Sequence, residues 1–122
     1  MARTALIIDD SPTMRQLVAH TLKLAGFTVI ESANGQEGLS RLTAGARPDV
    51  IITDVNMPVM NGIDFVRGAR KLPAYKFTPI LILTTESQVA LKTQGKAAGA
   101  TGWLVKPFEP QKLLDVVHQV LP

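Results

Sequence analysis

Five short apolar runs, Ala5 to Ile8, Phe27 to Ile30, Val50 to Ile52, Ile80 to Leu83 and Trp103 to Val105, recur along the chain and are separated by longer, more polar segments. Each has strand length and favours β-branched side chains. The intervening segments carry helical spacing. Met14, Leu17, Val18, Thr21 and Ala25 share one helix face, and Leu113, Leu114, Val116, Val117, Val120 and Leu121 form an apolar stripe near the end. Strands that are apolar at nearly every position must be covered on both sheet faces, and their alternation with helices gives a parallel sheet. Right-handed crossovers then make the expected fold α/β, a doubly wound (βα)5.

The punctuation agrees. Ser11-Pro12 offers an N-cap followed by proline at the first helical position, Gly26 can close that helix with a positive φ, and Asn61-Gly62 and Pro110 mark later helix starts. From Gln88 to Ala98 a fourth helix holds Gly95, two lysines and only Val89 and Leu91 as larger apolar residues, so loose packing is expected there. At 122 residues, 46% of them hydrophobic and 19% charged, the chain is expected to form a single domain over 1–122. No repeat or linker suggests a second one.

Several classes are set aside by composition. There is no cysteine, hence no disulfide framework, thiolate metal site or cysteine nucleophile. The apolar runs reach about four residues against the roughly 20 needed to span a bilayer, and Asp9, Asp10 and Arg15 stand where a signal peptide needs apolar residues. A cytoplasmic location without membrane insertion is expected. The formal net charge is +3, but its lysines and arginines are scattered with no block beyond Arg70-Lys71, and aromatics for base stacking are few. A nucleic-acid partner is not expected.

In a parallel sheet of this kind, ligands bind beyond the carboxyl ends of the strands. Strand one ends in Asp9-Asp10, strand three in Thr53-Asp54, strand four in Thr84-Thr85, and strand five runs into Lys106-Pro107. Three carboxylates, a hydroxyl and an ammonium should therefore meet at one edge. Clustered carboxylates raise one another's pKa and cost stability unless a cation holds them ionised. An all-oxygen donor set with room for water suits Mg²⁺ better than Ca²⁺ or Zn²⁺. An aspartate beside such a cation, a fixed ammonium and a hydroxyl is equipment for phosphoryl transfer onto a carboxylate. Any of the three aspartates can be the acceptor on this reasoning alone.

The stretches LIIDDSPTMR, DVIITDVNMPVMNG, PILILTTES and GATGWLVKPF resemble the blocks of a two-component response-regulator receiver domain, in order and spacing over essentially the whole chain. With TTES followed by AAGATGWLVKPF, the chain is most similar to stand-alone chemotaxis regulators of the CheY type. The resemblance implies a flavodoxin-like sheet in the order 2-1-3-4-5 and no output domain. It makes Asp54 the phosphoacceptor. It also implies Mg²⁺ bound by Asp10, Asp54 and the backbone carbonyl of Asn56, with Asp9 acting through a water. Thr84 would be the switch hydroxyl and Lys106 the phosphate-pairing ammonium, with a cis Lys106-Pro107 peptide. Asn56 and Glu86 would tune dephosphorylation, and Trp103 stands where the family has a rotating aromatic switch.

The partners implied are a sensor histidine kinase of chemotaxis type, an output protein that in such relatives is the flagellar motor switch, and a phosphatase. The protein is expected to be a monomer that catalyses only its own phosphorylation and dephosphorylation. The alternatives within the family are a receiver in another phosphorelay or a phosphate sink. An aspartate-based phosphatase of dehalogenase type would carry its acids as DxD on strand one with a cap domain. A flavin protein of the same topology would need an uncharged phosphate loop where Asp9 and Asp10 stand.

Overall fold

In the computed structural model, residues 3–85 and 89–121 are described, with the backbone alone at 89 and 90. Five strands, β1 (Thr4–Ile8), β2 (Thr28–Ser32), β3 (Val50–Thr53), β4 (Ile80–Thr84) and β5 (Gly102–Val105), alternate with five helices. These are α1 (Pro12–Leu24), α2 (Gly35–Thr43), α3 (Gly62–Lys71), α4 (Val89–Ala98) and α5 (Pro110–Val120), with a short 3₁₀ turn at Pro73–Tyr75. All strand pairs are parallel, in the order β2-β1-β3-β4-β5. The flavodoxin-like doubly wound fold expected from the sequence is the fold observed.

Alternate residues of each strand supply two separate cores. Ala5, Ile7, Val50, Ile52, Leu81 and Leu83 face α1 and α5, where they meet Val18, Leu22, Leu113 and Val117. Leu6, Ile8, Ile51, Ile80 and Ile82 face the other way onto Phe65, Val66 and Leu42 of α3 and α2. The period of two in the strands thus decides which helix layer each side chain feeds.

Helix ends fall where the capping residues place them. Ser11 Oγ accepts the Met14 N–H at 3.3 Å with Pro12 at the first helical position, and Asn34 and Asn61 cap α2 and α3 in the same way. Gly26 follows α1 with φ +96°. Two expectations need correction. Leu17 and Ala25 do not lie on the buried face of α1, whose inward residues are Val18, Ala19, Thr21 and Leu22. The second strand begins at Thr28 rather than Phe27 and runs on through Glu31 to Ser32. It is an edge strand, so polar side chains are admitted, while Phe27 packs under α5 from the preceding turn.

α4 is less slack than its sequence suggests. It packs chiefly on α3, and Gly95 is a seat: an ideal Cβ there would lie 2.9 Å from both Ile82 Cδ1 and Trp103 Cζ3. The far end of α4 is tied down by Arg70 of α3. Its Nε donates to the Gly99 carbonyl at 2.9 Å and its Nη1 to the carbonyls of Tyr75 (2.7 Å) and Thr78 (2.6 Å). One guanidinium therefore fixes the approach to β4 and the turn into β5 together.

Candidate phosphoacceptor site

The strand order reverses direction at β1, whose neighbours are β2 and β3. Helices leave to opposite faces on either side of that point, opening a crevice at the carboxyl ends of the strands. Asp9 and Asp10 follow β1 there, Asp54 follows β3, and Lys106 follows β5.

One carboxylate oxygen from each of Asp9, Asp10 and Asp54 lies within 4.8 Å of the others. Lys106 Nζ reaches in from the side, 3.0 Å from Asp9 Oδ2 and 3.5 Å from Asp54 Oδ2, and is itself almost wholly buried. Of the five groups expected at this edge, the three carboxylates and the ammonium come together. Their arrangement is unequal. Asp9 is buried and Asp10 exposed, with Asp54 between them.

Asp9 is held at every polar atom. Its N–H donates to the Ser32 carbonyl at 3.1 Å, its carbonyl accepts from Arg15 Nη1 at 2.7 Å, and its Oδ1 accepts the Ser11 N–H at 2.9 Å. Oδ2 faces Lys106. Asp54 is tethered at one oxygen: the Val55 N–H donates to Oδ1 at 2.7 Å, leaving Oδ2 toward Lys106. Its pKa lies above the ordinary carboxylate value. Burial is the main cause and the Asp9 charge adds to it, while Lys106 and the Val55 N–H pull the other way.

Gly62 keeps Asp54 in place. An ideal Cβ on Gly62 would overlap the Asp54 carbonyl oxygen, and the Gly62 N–H donates to the Val55 carbonyl at 2.9 Å. Without a side chain, the start of α3 closes directly on the end of β3. The connecting loop carries Asn56, which is exposed, and Val59, a β-branched residue at φ +70°. Such a residue rarely adopts that backbone conformation.

Thr84 is fully buried as the last residue of β4, paired in register with Val105, and its carbonyl accepts the Lys106 N–H at 2.7 Å. It thus shares the backbone ladder that carries Lys106 to the site. The Lys106-Pro107 peptide is cis. Trp103 stands opposite Ile82 in β5 and packs on the α3 side of the sheet, with no hydrogen-bond partner for its buried Nε1 among the described residues. Glu86 and Gln88 lie outside the described residues.

Two residues at this edge escaped the sequence reading. Arg15 and Glu31 form an ion pair at 3.2 Å beside Asp9. Arg15 lies one helical turn past the Ser11 cap, on the side of α1 that returns to the strand end; Glu31 follows only once β2 is extended to Ser32. A cation beside two adjacent acids was the available signal.

The donors fit a hard divalent cation: they are carboxylates, with neither histidine nor cysteine among them. The same crevice offers a partly tethered carboxylate facing an ammonium. That pairing suits formation of an acyl phosphate more than binding of an anionic cofactor.

Comparison with known proteins gives a consistent picture. Residues 5–118 match the response regulator receiver domain. Chemotaxis protein CheY1 of Helicobacter pylori is 41% identical over 95% of this chain and 94% of its own. Protein PilH of Pseudomonas aeruginosa is 36% identical over 99% and 98%. The solved structure of chemotaxis response regulator CheY4 of Vibrio cholerae superposes with a TM-score of 0.93 at 53% identity, covering 99% of this chain and all of that one.

Proposed function

Because the chain belongs to the response-regulator receiver family, as a CheY-type member, we propose that it receives a phosphoryl group on Asp54 from a sensor histidine kinase and signals by binding another protein. The observation that carries this reading is the asymmetry of Asp54. Oδ1 is held by the Val55 N–H while Oδ2 lies 3.5 Å from Lys106 Nζ, in a carboxylate that clusters with the other two acids.

Asp54 Oδ2 attacks the phosphorus of a phosphohistidine. The P–O bond forms as the P–N bond breaks, and the electron pair leaves with the imidazole nitrogen. Lys106, 3.5 Å from that oxygen, pairs with the charge the phosphoryl group brings. Asp10 and Asp54 would hold Mg²⁺ with the Asn56 carbonyl, and Asp9 through a water; when bound, the ion supplies positive charge to the phosphoryl oxygens. Thr84 donates its hydroxyl proton in a hydrogen bond to a phosphoryl oxygen in one surface state and not in the other. A ligand shifts a two-state equilibrium only through such a difference in contacts. Trp103 turns inward with that shift, and Asn56 and Glu86 tune hydrolysis of the acyl phosphate.

The kinase of this reading is of the chemotaxis type, the output the flagellar motor switch, with a phosphatase as a further partner. The protein works as a monomeric single-domain receiver in the cytoplasm. It turns over only its own acyl phosphate. Support for stand-alone action comes from the chemotaxis relatives, which align over at least nine-tenths of their own length; and no described helix is long and apolar enough to cross a membrane. The similarity to PilH, which is not named as a chemotaxis protein, favours another phosphorelay as the second reading.

Incubation with Mg²⁺ and a small phosphodonor tests the chemistry. A hydroxylamine-sensitive acyl phosphate is expected on Asp54, and undiminished labelling of Asp54→Asn would defeat the mechanism. Binding to the motor switch should tighten on phosphorylation. An unchanged affinity moves the assignment to the second reading.

A further inference from the structure

Asp10 is the least constrained member of the acidic cluster. It is exposed, and its carboxylate makes no hydrogen bond to any described residue. The peptide group that joins it to Asp9, by contrast, is held. The carbonyl of that peptide accepts from Arg15 Nη1 at 2.7 Å. Arg15 is aimed in turn by Glu31 of the edge strand, whose Oε1 accepts from Nε at 3.2 Å. Glu31 is held through its backbone carbonyl, which accepts from Arg41 Nη2 of α2 at 3.1 Å.

We propose that Arg15, aimed by Glu31, is a positioning residue for the metal-binding pocket: by clamping the Asp9-Asp10 peptide plane it points the Asp10 carboxylate at the cation. The clamp acts on the backbone, so its geometry is independent of the side-chain rotamer that Asp10 adopts before the ion arrives. A guanidinium suits the role because its planar fork donates to the carbonyl and to the Glu31 carboxylate at once, which a lysine ammonium on a flexible stem does not reproduce. Charge alone predicts the opposite effect. A cation beside the pocket repels a divalent ion, so removing Arg15 should tighten Mg²⁺ binding if electrostatics rules, and weaken it if orientation rules.

The inference rests on the Mg²⁺ site proposed above, and calorimetric titration of the intact protein with Mg²⁺ alone separates the two. Failure of the wild-type chain to bind Mg²⁺ overturns the site itself, and with it the role of Arg15. Given wild-type binding, Arg15→Met should raise the Mg²⁺ dissociation constant roughly fivefold to tenfold, the scale of one ordinary hydrogen bond. Glu31→Gln, which leaves α1 untouched, should raise it about twofold to threefold, and Arg15→Lys should remain weaker than wild type. The ratio of variant to wild-type affinity should persist between about 0.1 M and 1 M salt, where the screening length falls from about 10 Å to 3 Å. Unchanged or tighter binding by Arg15→Met overturns the proposal, as does full rescue by Arg15→Lys or loss of the defect in high salt. Should Arg15→Met not fold, Glu31→Gln and Arg15→Lys decide by the same criteria.

Discussion

Replacing Gly62 by alanine adds a single methyl group where α3 closes on β3. An ideal Cβ there overlaps the Asp54 carbonyl oxygen and lies 2.9 Å from its carbonyl carbon and 3.1 Å from Val55 Cα. Relaxed carbon–carbon contacts begin near about 3.5 Å. All three obstacles are backbone, so no rotamer relieves them, and the helix start must retreat from the strand by roughly half an ångström or more. Overpacking of a rigid site costs about 3 kcal/mol. Loss of the Gly62 N–H to Val55 carbonyl bond adds about 1 kcal/mol. At roughly 4 °C per kcal/mol for a chain of this size, the melting temperature should fall by about 15 °C.

The sign is decisive. Gly62 is a helical residue, and by propensity alone alanine in a helix is favoured over glycine by up to about 1 kcal/mol. Thermal and urea melts of the two proteins measure the difference. Gly45→Ala is the control: Gly45 has a positive φ but nothing within 4 Å of an added Cβ, so its cost should stay near about 1 kcal/mol. Because the clash falls on Asp54 itself, the rate of phosphodonor labelling, measured where Gly62→Ala remains folded, should drop by at least about tenfold. A Gly62→Ala protein as stable as wild type and equally reactive would refute the reasoning.

Further outcomes follow from the same edge of the sheet. The pKa of Asp54 is raised in the folded state, mainly by burial, so the folded chain binds more protons than the unfolded one as pH climbs from below 3.8 through the folded value, and stability is lost over that window. Asp54→Asn should therefore melt higher than wild type at neutral pH, with the advantage disappearing in acid; urea melts at both pH values measure it. Lys106→Met leaves the buried Asp9 carboxylate beside Asp54 without their ammonium and should cost about 3 kcal/mol at neutral pH in the same melts. Val59→Gly relieves the backbone at φ +70° without removing a buried contact, and chemical denaturation should show a gain of about 1 kcal/mol.

The sequence announced the sheet because its strands are apolar on both faces, and a run such as Ile80 to Leu83 has few other ways to be buried. It announced the cluster because the acids and the lysine fall directly after strands, where a parallel topology leaves no choice of edge. It was less informative where a residue serves two purposes. Leu17 obeys the helical spacing of α1 yet is exposed, since the inward arc includes Ala19 and Leu22 instead. Gly95 reads as a weak point in a helix, whereas the indole of Trp103 occupies the space a side chain would take. Arg15 offered only its nearness to two adjacent acids as a signal, and its pairing with Glu31 was hidden because it depends on where an edge strand stops. Glycine at 62 was legible as a helix start, but its contact with Asp54 depends on how closely two backbones approach.

The ion pair between Lys106 and Asp9 spans 97 positions of a 122-residue chain. β5 is the last strand along the chain and lies at the rim of the sheet, joined only to β4. A polypeptide still emerging from the ribosome can acquire its acids early, but it lacks the cation opposite them until the final strand is added. The pairing of acid and ammonium is thereby tied to the placing of β5. A chain cut short before β5 would hold its three acids without that cation, so the proposed transfer of a phosphoryl group to Asp54 would lack its pairing ammonium until the far edge has closed.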